Sequence, residues 1–208
     1  SYHGKSMGAL SLTFNPKYRE SFQPLIEKVS FSPYGDVDGL RDVVDKDTAF
    51  VILEPIQGES GIHVPPEGFL QEVRKTCDEN NSLLIFDEIQ SGLGRTGSMW
   101  ASEHWKTVPD IMCLAKGIAG GVPMGVTLVR PDILAVMKKG EHSSTFGGNP
   151  LACAAGTATL QALTQDGLIE NAKSMGEKLS HGLEELKSKH AIIREVRGKG
   201  LMIGVELK

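Results

Sequence analysis

Apolar positions in this chain come in short continuous blocks, each closed by a polar residue or a proline. Ala49 to Glu54 reads A-F-V-I-L-E and stops at Pro55, and Ser82 to Phe86 reads S-L-L-I-F and stops at Asp87. Ile111 to Ala115 (I-M-C-L-A) stops at Lys116, and Gly125 to Val129 (G-V-T-L-V) runs into Arg130-Pro131. Runs of this kind predict strands buried on both faces, as in a parallel sheet. Between the first two, Gly68 to Glu79 sets Phe69, Val73 and Cys77 four apart on one helical face, and Asn80-Asn81 breaks the pattern. Strand, helix, strand and crossover predict an α/β fold with a mainly parallel sheet.

The character changes after Gly148-Asn149-Pro150. Proline opens helices at their first position, and Leu151 to Leu163 is rich in Ala and Leu. Leu168, Ala172, Met175, Leu179, Leu183 and Leu186 then follow a helical period, which predicts a long amphipathic helix. Ile192–Val196 and Leu201–Leu207 read as two strands joined by a turn at Arg197-Gly198-Lys199-Gly200, with Leu201, Ile203, Val205 and Leu207 on one face of the second. A helix and two strands make little core alone. We therefore expect a large domain over residues 1–164 and the beginning of a smaller α+β domain over 165–208. No internal repeat or low-complexity segment interrupts this order.

Composition narrows the function. Hydrophobic residues make up 40% and charged residues 23% of the 208, and the net charge is −4, as in an ordinary globular protein. The longest basic run is Lys138-Lys139, so the electrostatic footprint of nucleic-acid binding is missing and no nucleic-acid partner is expected. No apolar run reaches the ~20 residues of a membrane span. Cys77, Cys113 and Cys153 are odd in number and sit among apolar residues, which fits buried thiols in a reducing, cytoplasmic setting better than a disulfide framework. Glycine is frequent, 24 in 208 against about 7% on average, and clusters at Gly117–Gly125 and Gly147-Gly148, where backbone can approach a ligand closely.

Candidate chemistry falls at the ends of the apolar runs, where open α/β sheets bind ligands. Lys116 has apolar residues before it and glycines after it. Partial desolvation there would make its amine a nucleophile; a phosphate-gripping or surface lysine is the alternative. The lysine precedes its glycines, unlike the order of the G-x-x-x-x-G-K-[ST] phosphate loop. Asp87 could pair with a cationic ring nitrogen or serve as a helix N-cap. Glu54 and Glu59 bracket P-I-Q-G and read equally as site carboxylates or as ion-paired or solvated loop residues. Thr145, in S-S-T-F-G-G-N-P, could help bind a phosphate or simply form a turn. His3, His104 and His142 lack metal-ligand spacing, so no metal is expected. A lysine, an aspartate and a hydroxyl-and-glycine loop are together what pyridoxal phosphate requires.

The stretches I-L-E-P-I-Q-G-E-S-G, F-D-E-I-Q-S-G-L-G-R-T-G, D-I-M-C-L-A-K-G-I-A-G-G-V-P-M-G and S-T-F-G-G-N-P-L-A resemble those of class-III pyridoxal-phosphate-dependent aminotransferases. Within that class the resemblance is to the acetylornithine aminotransferase branch and its relatives in lysine biosynthesis. It extends to the opening Y-H-G-K-S-M-G-A-L-S-L-T and the closing R-G-K-G-L-M-I-G-V-E-L-K, and so covers the whole chain. It implies the fold type I transferase architecture, pyridoxal 5'-phosphate as cofactor, and a homodimer. Carried over by position, Lys116 is the Schiff-base lysine and proton shuttle. Asp87 pairs with the pyridinium nitrogen, Gln90 contacts the ring hydroxyl, and Tyr2 stacks on the ring. Thr145 reaches the phosphate in the partner subunit, and Glu54 lies in the cofactor pocket. Glu59 helps separate the substrates of the two half-reactions.

Two departures accompany the resemblance. Lys5 stands where the family usually has an arginine that grips a substrate carboxylate; lysine keeps the charge and loses the bidentate fork. The family's N-terminal segment with its S-G-T-E-A phosphate loop has no counterpart here, nor has the rest of the small domain, so the chain reads as the middle of an enzyme. The implied reaction moves the terminal amine of N-acetylornithine, or of an N-acylated lysine or diaminopimelate analogue, to 2-oxoglutarate. Ornithine or 4-aminobutyrate as donor, an inactive fragment, and a nucleotide-binding α/β protein are the competing readings; the last has no Walker or G-x-G-x-x-G motif to support it.

Overall fold

A computed structural model describes residues 1–208. Three short helices open the chain: α1 (Met7–Leu12), α2 (Pro16–Arg19) and α3 (Val37–Val43). Strand β1 (Phe50–Leu53), helix α4 (Phe69–Asn80) and strand β2 (Leu83–Asp87) follow as a crossover unit. Then come β3 (Ile111–Leu114), β4 (Val126–Val129), the short α5 (Pro131–Leu134), the long helices α6 (Pro150–Gln165) and α7 (Leu168–Lys189), and the hairpin of β5 (Ile193–Lys199) and β6 (Met202–Leu207). The expected helix breaks recur at the expected residues. Asn81 ends α4 in the left-handed region at φ 55°, and the Asn149 side chain caps α6 by accepting from Ala152 N–H at 2.9 Å, with Pro150 in the first turn.

The main sheet has the order β1-β2-β3-β4. Its first three strands are parallel, in register Leu53↔Phe86 and Asp87↔Cys113, and β4 closes the edge antiparallel to β3. The sheet is thus mainly parallel, as its apolar runs predict. Burial on both faces is not what the structure has. Leu84 and Phe86, with Met112 and Leu114 on the next strand, are buried, and α4 brings Phe69, Leu70, Val73 and Cys77 into one core cluster with Leu84 and Phe86. The alternate residues Leu83, Ile85, Ile111 and Cys113 are only half-buried.

Asp110, just before β3, locks the strands together. Its buried carboxylate accepts the Leu84 N–H at 2.7 Å and Arg74 Nη1 at 2.8 Å, and it also pairs with Arg130. Burial opposes ionisation, but the Leu84 amide and the two guanidinium groups outweigh it and hold the carboxyl below its ordinary range. A depressed folded-state pKa contributes stability that is full above the unfolded value and is lost as pH falls through the folded one. Asp110→Asn is therefore expected to cost about 1–3 kcal/mol at pH 7. Urea unfolding of parent and variant should show that gap narrowing as pH falls below the ordinary carboxylate range; a gap independent of pH would refute the assignment.

The C-terminal elements form as read, with different faces covered. Helix α7 buries Ala172 and Gly176, while Leu168, Met175, Leu179 and Leu186 of its apolar stripe are exposed. Strand β5 continues through Arg197 to Lys199, so the turn lies at Gly200-Leu201, later than the spacing predicts. On β6 the residue that enters the core is Met202, a member of the same cluster as Leu53, Ile56 and Trp105, whereas Leu201, Val205 and Leu207 on the other face are exposed. The three cysteines are free, but only Cys77 is buried. Cys153 is exposed, since α6 turns Ala152 and Gly156 inward instead. Burial raises the Cys77 thiol to about 11. No helix is long and apolar enough to cross a membrane.

Candidate active site

The carboxyl ends of β2 and β3, neighbours in the sheet, deliver Asp87 and Lys116 to the same edge. Asp87 is the last residue of β2 and is 6% exposed. Its Oδ1 accepts the Ile89 N–H at 3.1 Å, and its Oδ2 lies 2.8 Å from His3 Nδ1. No helix follows, so the N-cap alternative falls away and the carboxylate anchors a turn instead. An ionised carboxylate only accepts, which places the shared hydrogen on His3 Nδ1. His3 Nε2 is then buried without a protein partner.

The turn after Asp87 is built around Glu88, which is fully buried. Its carboxylate accepts Ser91 Oγ at 2.6 Å, Ala101 N–H at 3.1 Å and Ser102 N–H at 2.9 Å. Burial raises its pKa against those three donors. The result is a rigid segment from Asp87 to Ser91, with Gln90 projecting from it. Gln90 and Lys116 line one cleft of about 160 Å³ together with Ile89, Leu93, Arg95 and two glycines.

Lys116 begins a short 3₁₀ turn at φ 47°, an uncommon conformation for a non-glycine residue. Strain of this sort is held where the surroundings over-determine it, and it clusters at functional positions. Its side chain makes no ion pair or hydrogen bond. The expected desolvation is not supplied by its apolar neighbours: Leu114, Ile118 and Ala119 turn into the core and Lys116 is exposed. The left-handed turn at Lys116 departs from the strand direction, and the residue lines the cleft beside Gln90 instead of joining the core.

Glu54 is neither ion-paired nor solvated. It is buried and receives the Tyr2 N–H at 3.0 Å and the Gly58 N–H at 2.9 Å. Gly58 in turn abuts Gln90 so closely that a Cβ there would overlap the carboxamide. The Tyr2 ring packs edge-on against Tyr18 at 5.7 Å between centroids, and Lys5 Nζ stands 5.1 Å above Tyr18. Lys116, Gln90, Asp87, Glu54 and Tyr2 are thus joined through direct contacts, a shared cleft or one rigid turn. Glu59 and Thr145 are exposed in loops and make no side-chain hydrogen bond. Sequence reasoning weighed His3 only as a metal ligand and so missed its contact with Asp87. The signal was its place in Y-H-G, inside a stretch already singled out. No cluster of three His, Cys, Asp or Glu side chains is placed to hold a metal ion.

Comparison with known proteins bears on this geometry. The aminotransferase class-III family model matches residues 1–208. The acetylornithine aminotransferase of Methanopyrus kandleri is 50% identical over 206 residues, which is 99% of this chain and 52% of that protein. The ornithine aminotransferase 1 of Staphylococcus saprophyticus is 46% identical over 208 residues, 100% of this chain and 52% of that protein. The crystal structure of ornithine aminotransferase from Toxoplasma gondii ME49 superposes with a TM-score of 0.96 at 38% identity, over 100% of this chain and 50% of that one. The chain spans about half the length of the relatives it matches, and over all of its own length it belongs to the class-III aminotransferase family.

Proposed function

We propose that this chain carries the central part of a pyridoxal-phosphate-dependent aminotransferase that moves the terminal amine of N-acetylornithine, or of an N-acylated lysine or diaminopimelate analogue, to 2-oxoglutarate. The observation that carries the reading is the placement of Asp87 and Lys116 at the ends of adjacent parallel strands, with Gln90 sharing a cleft with Lys116.

The residues fit the cofactor. Asp87 is a buried carboxylate fixed by two donors, suited to face the protonated nitrogen of a pyridine ring. Gln90 offers a carboxamide to a ring hydroxyl, Tyr2 an aromatic face, and Lys116 an amine open to the cleft. When bound, pyridoxal phosphate supplies the electron sink that the chemistry needs. The chain's own residues do the rest. Lys116 Nζ would take the proton from the amine-bearing carbon of the donor and pass it on within that half-reaction, and would deliver one to the keto carbon of 2-oxoglutarate in the second. Asp87 keeps its negative charge where positive charge must be held, and His3 Nδ1–H fixes the orientation of that carboxylate. Lys5 and Glu59 take their substrate roles from the family resemblance, Lys5 for a carboxylate.

A homodimer accounts for Thr145, which would bind the phosphate held by the other subunit. In the same region Phe146 is 82% and Leu151 71% exposed, as suits a surface awaiting cover. Three free cysteines favour a reducing compartment such as the cytoplasm, and the assignment to arginine or lysine biosynthesis rests on the donor. Residues 1–164 would form the cofactor-binding domain and 165–208 the opening of the small one.

The test is to add pyridoxal phosphate, reduce with borohydride and map the modified peptide. Label on Lys116 is the expected result, and label spread over surface lysines would sink the reading. The 46% identity to an ornithine aminotransferase makes ornithine the second candidate donor. A panel of acetylornithine, ornithine and 4-aminobutyrate separates them by which donor discharges the yellow colour.

A further inference from the structure

The loop from Gln57 to His63 leads from β1 toward α4 and bears on several candidate residues at once. Its two ends pair with each other: Gln57 N–H donates to His63 O and His63 N–H to Gln57 O, both at 3.0 Å. Glu54 holds its first arm through Gly58 N–H, Gly58 abuts Gln90, and Glu59 sits exposed at the tip. The returning arm is strained. Ile62 has φ 58°, a left-handed conformation that is an outlier for a β-branched residue. Such backbone persists only where its surroundings over-determine it.

One side chain from the far end of the sequence does this. Arg197 on β5 donates from Nε to Gly61 O at 3.0 Å and to Ile62 O at 2.9 Å, and from Nη2 to Gly61 O at 2.8 Å. Its Nη1 is held from behind by Glu195 at 2.7 Å and by Glu206. The guanidinium is 16% exposed and engages every one of its nitrogens. Its register partner Gly204 leaves room for the loop, for a Cβ there would sit 3.0 Å from Gly61 O and from the Ile62 side chain. A lysine could not reproduce this arrangement, because a point charge lacks the planar fork that bridges two carbonyls and two carboxylates.

We propose that Arg197 is a positioning residue of the active site: it fastens loop 57–63 in its strained form, so that Glu59 and Gln90 are held in place, and it couples the C-terminal hairpin to the cleft. The proposal rests on the reading above that Gln90 and Glu59 face cofactor and substrate. The neighbouring Arg194 supplies the control. It pairs with the same Glu206 at 2.8 Å, is 66% exposed, and makes no hydrogen bond to the loop.

The experiment is amide hydrogen exchange on the parent chain and on Arg197→Ala, Arg197→Lys and Arg194→Ala, with pyridoxal phosphate binding followed in the same samples. Arg197→Ala should speed exchange at Gln57, Gly58 and His63 by about tenfold or more, leaving β2 and α4 unchanged. Arg197→Lys should fall between, and Arg194→Ala should match the parent. With cofactor bound, the pH midpoint of its visible band should shift in Arg197→Ala, recover in part with lysine, and stay put in Arg194→Ala. Parent-like exchange in Arg197→Ala, or equal loosening in Arg194→Ala, would overturn the proposal. Should Arg197→Ala open β2 and α4 as well, the lysine variant decides: loop-confined acceleration supports fastening, and none refutes it. Cofactor label away from Lys116 would instead count against the active-site reading, while the exchange result would still stand.

Discussion

Lys116→Ala is expected to abolish the borohydride-fixed cofactor label and to lower turnover of the assembled enzyme by more than about 10⁴-fold, the upper end of what a positioned acid–base group contributes. The cleft beside Gln90 contains two basic side chains, Lys116 and Arg95, and a guanidinium stays protonated, so Arg95 cannot take over as nucleophile or base. Lys116 is exposed and unpaired, which predicts a stability change within about 0.5 kcal/mol. Loss of activity therefore cannot be blamed on unfolding, and thermal melts of parent and variant verify that point directly. A covalently held yellow band in Lys116→Ala would mean that another amine carries the cofactor.

How much of this was legible depends on how local each signal is. The strands and α4 follow from continuous or periodic apolar positions, and the ends of those runs mark Asp87 and Lys116. That succeeds because a parallel sheet forces its strand ends to one edge, whatever covers its faces. Periodicity says which residues share a face and not what lies against it. Leu168, Met175, Leu179 and Leu186 of the α7 stripe and Leu201, Val205 and Leu207 of the last strand are real in spacing yet exposed in the structure, while Ala172 is buried and Met202, out of phase with the apolar alternation, enters the core. The exposure of Lys116 escaped for a related reason: flanking apolar residues predict burial, but a left-handed turn separates their direction from that of the lysine.

Contacts between distant parts of the chain were the least readable. His3 meets Asp87 across 84 positions, and Arg197 meets Gly61 across 136. Neither pair has a local pattern, and each residue alone has a bland reading. Both contacts converge on the same small region, since Asp87 begins the rigid turn that carries Gln90, and Gly58 of the Arg197-held loop abuts Gln90. Residues near both ends of the sequence thus bear on the segment that carries Gln90.

Asp87→Ala should leave some cofactor binding, because Lys116 and Gln90 are untouched, and should slow turnover by about 10²–10³-fold or more, the range seen when a preorganised electrostatic partner is removed. On the proposed reading its role is to keep negative charge beside a ring nitrogen that must stay protonated. Alanine also leaves the Ile89 N–H and His3 Nδ1–H without their acceptor in a buried place, at a cost of about 1–3 kcal/mol. Stability and catalysis would then fall together and confuse the reading. Asp87→Asn separates them: its carbonyl oxygen can still accept from one buried donor, so much of the stability returns, but the charge does not, so the rate should stay low. Measuring unfolding and single half-reaction rates for both variants decides the matter. Should asparagine restore rate along with stability, Asp87 would be a structural turn residue, and the partner of the ring nitrogen would have to be sought elsewhere in the cleft.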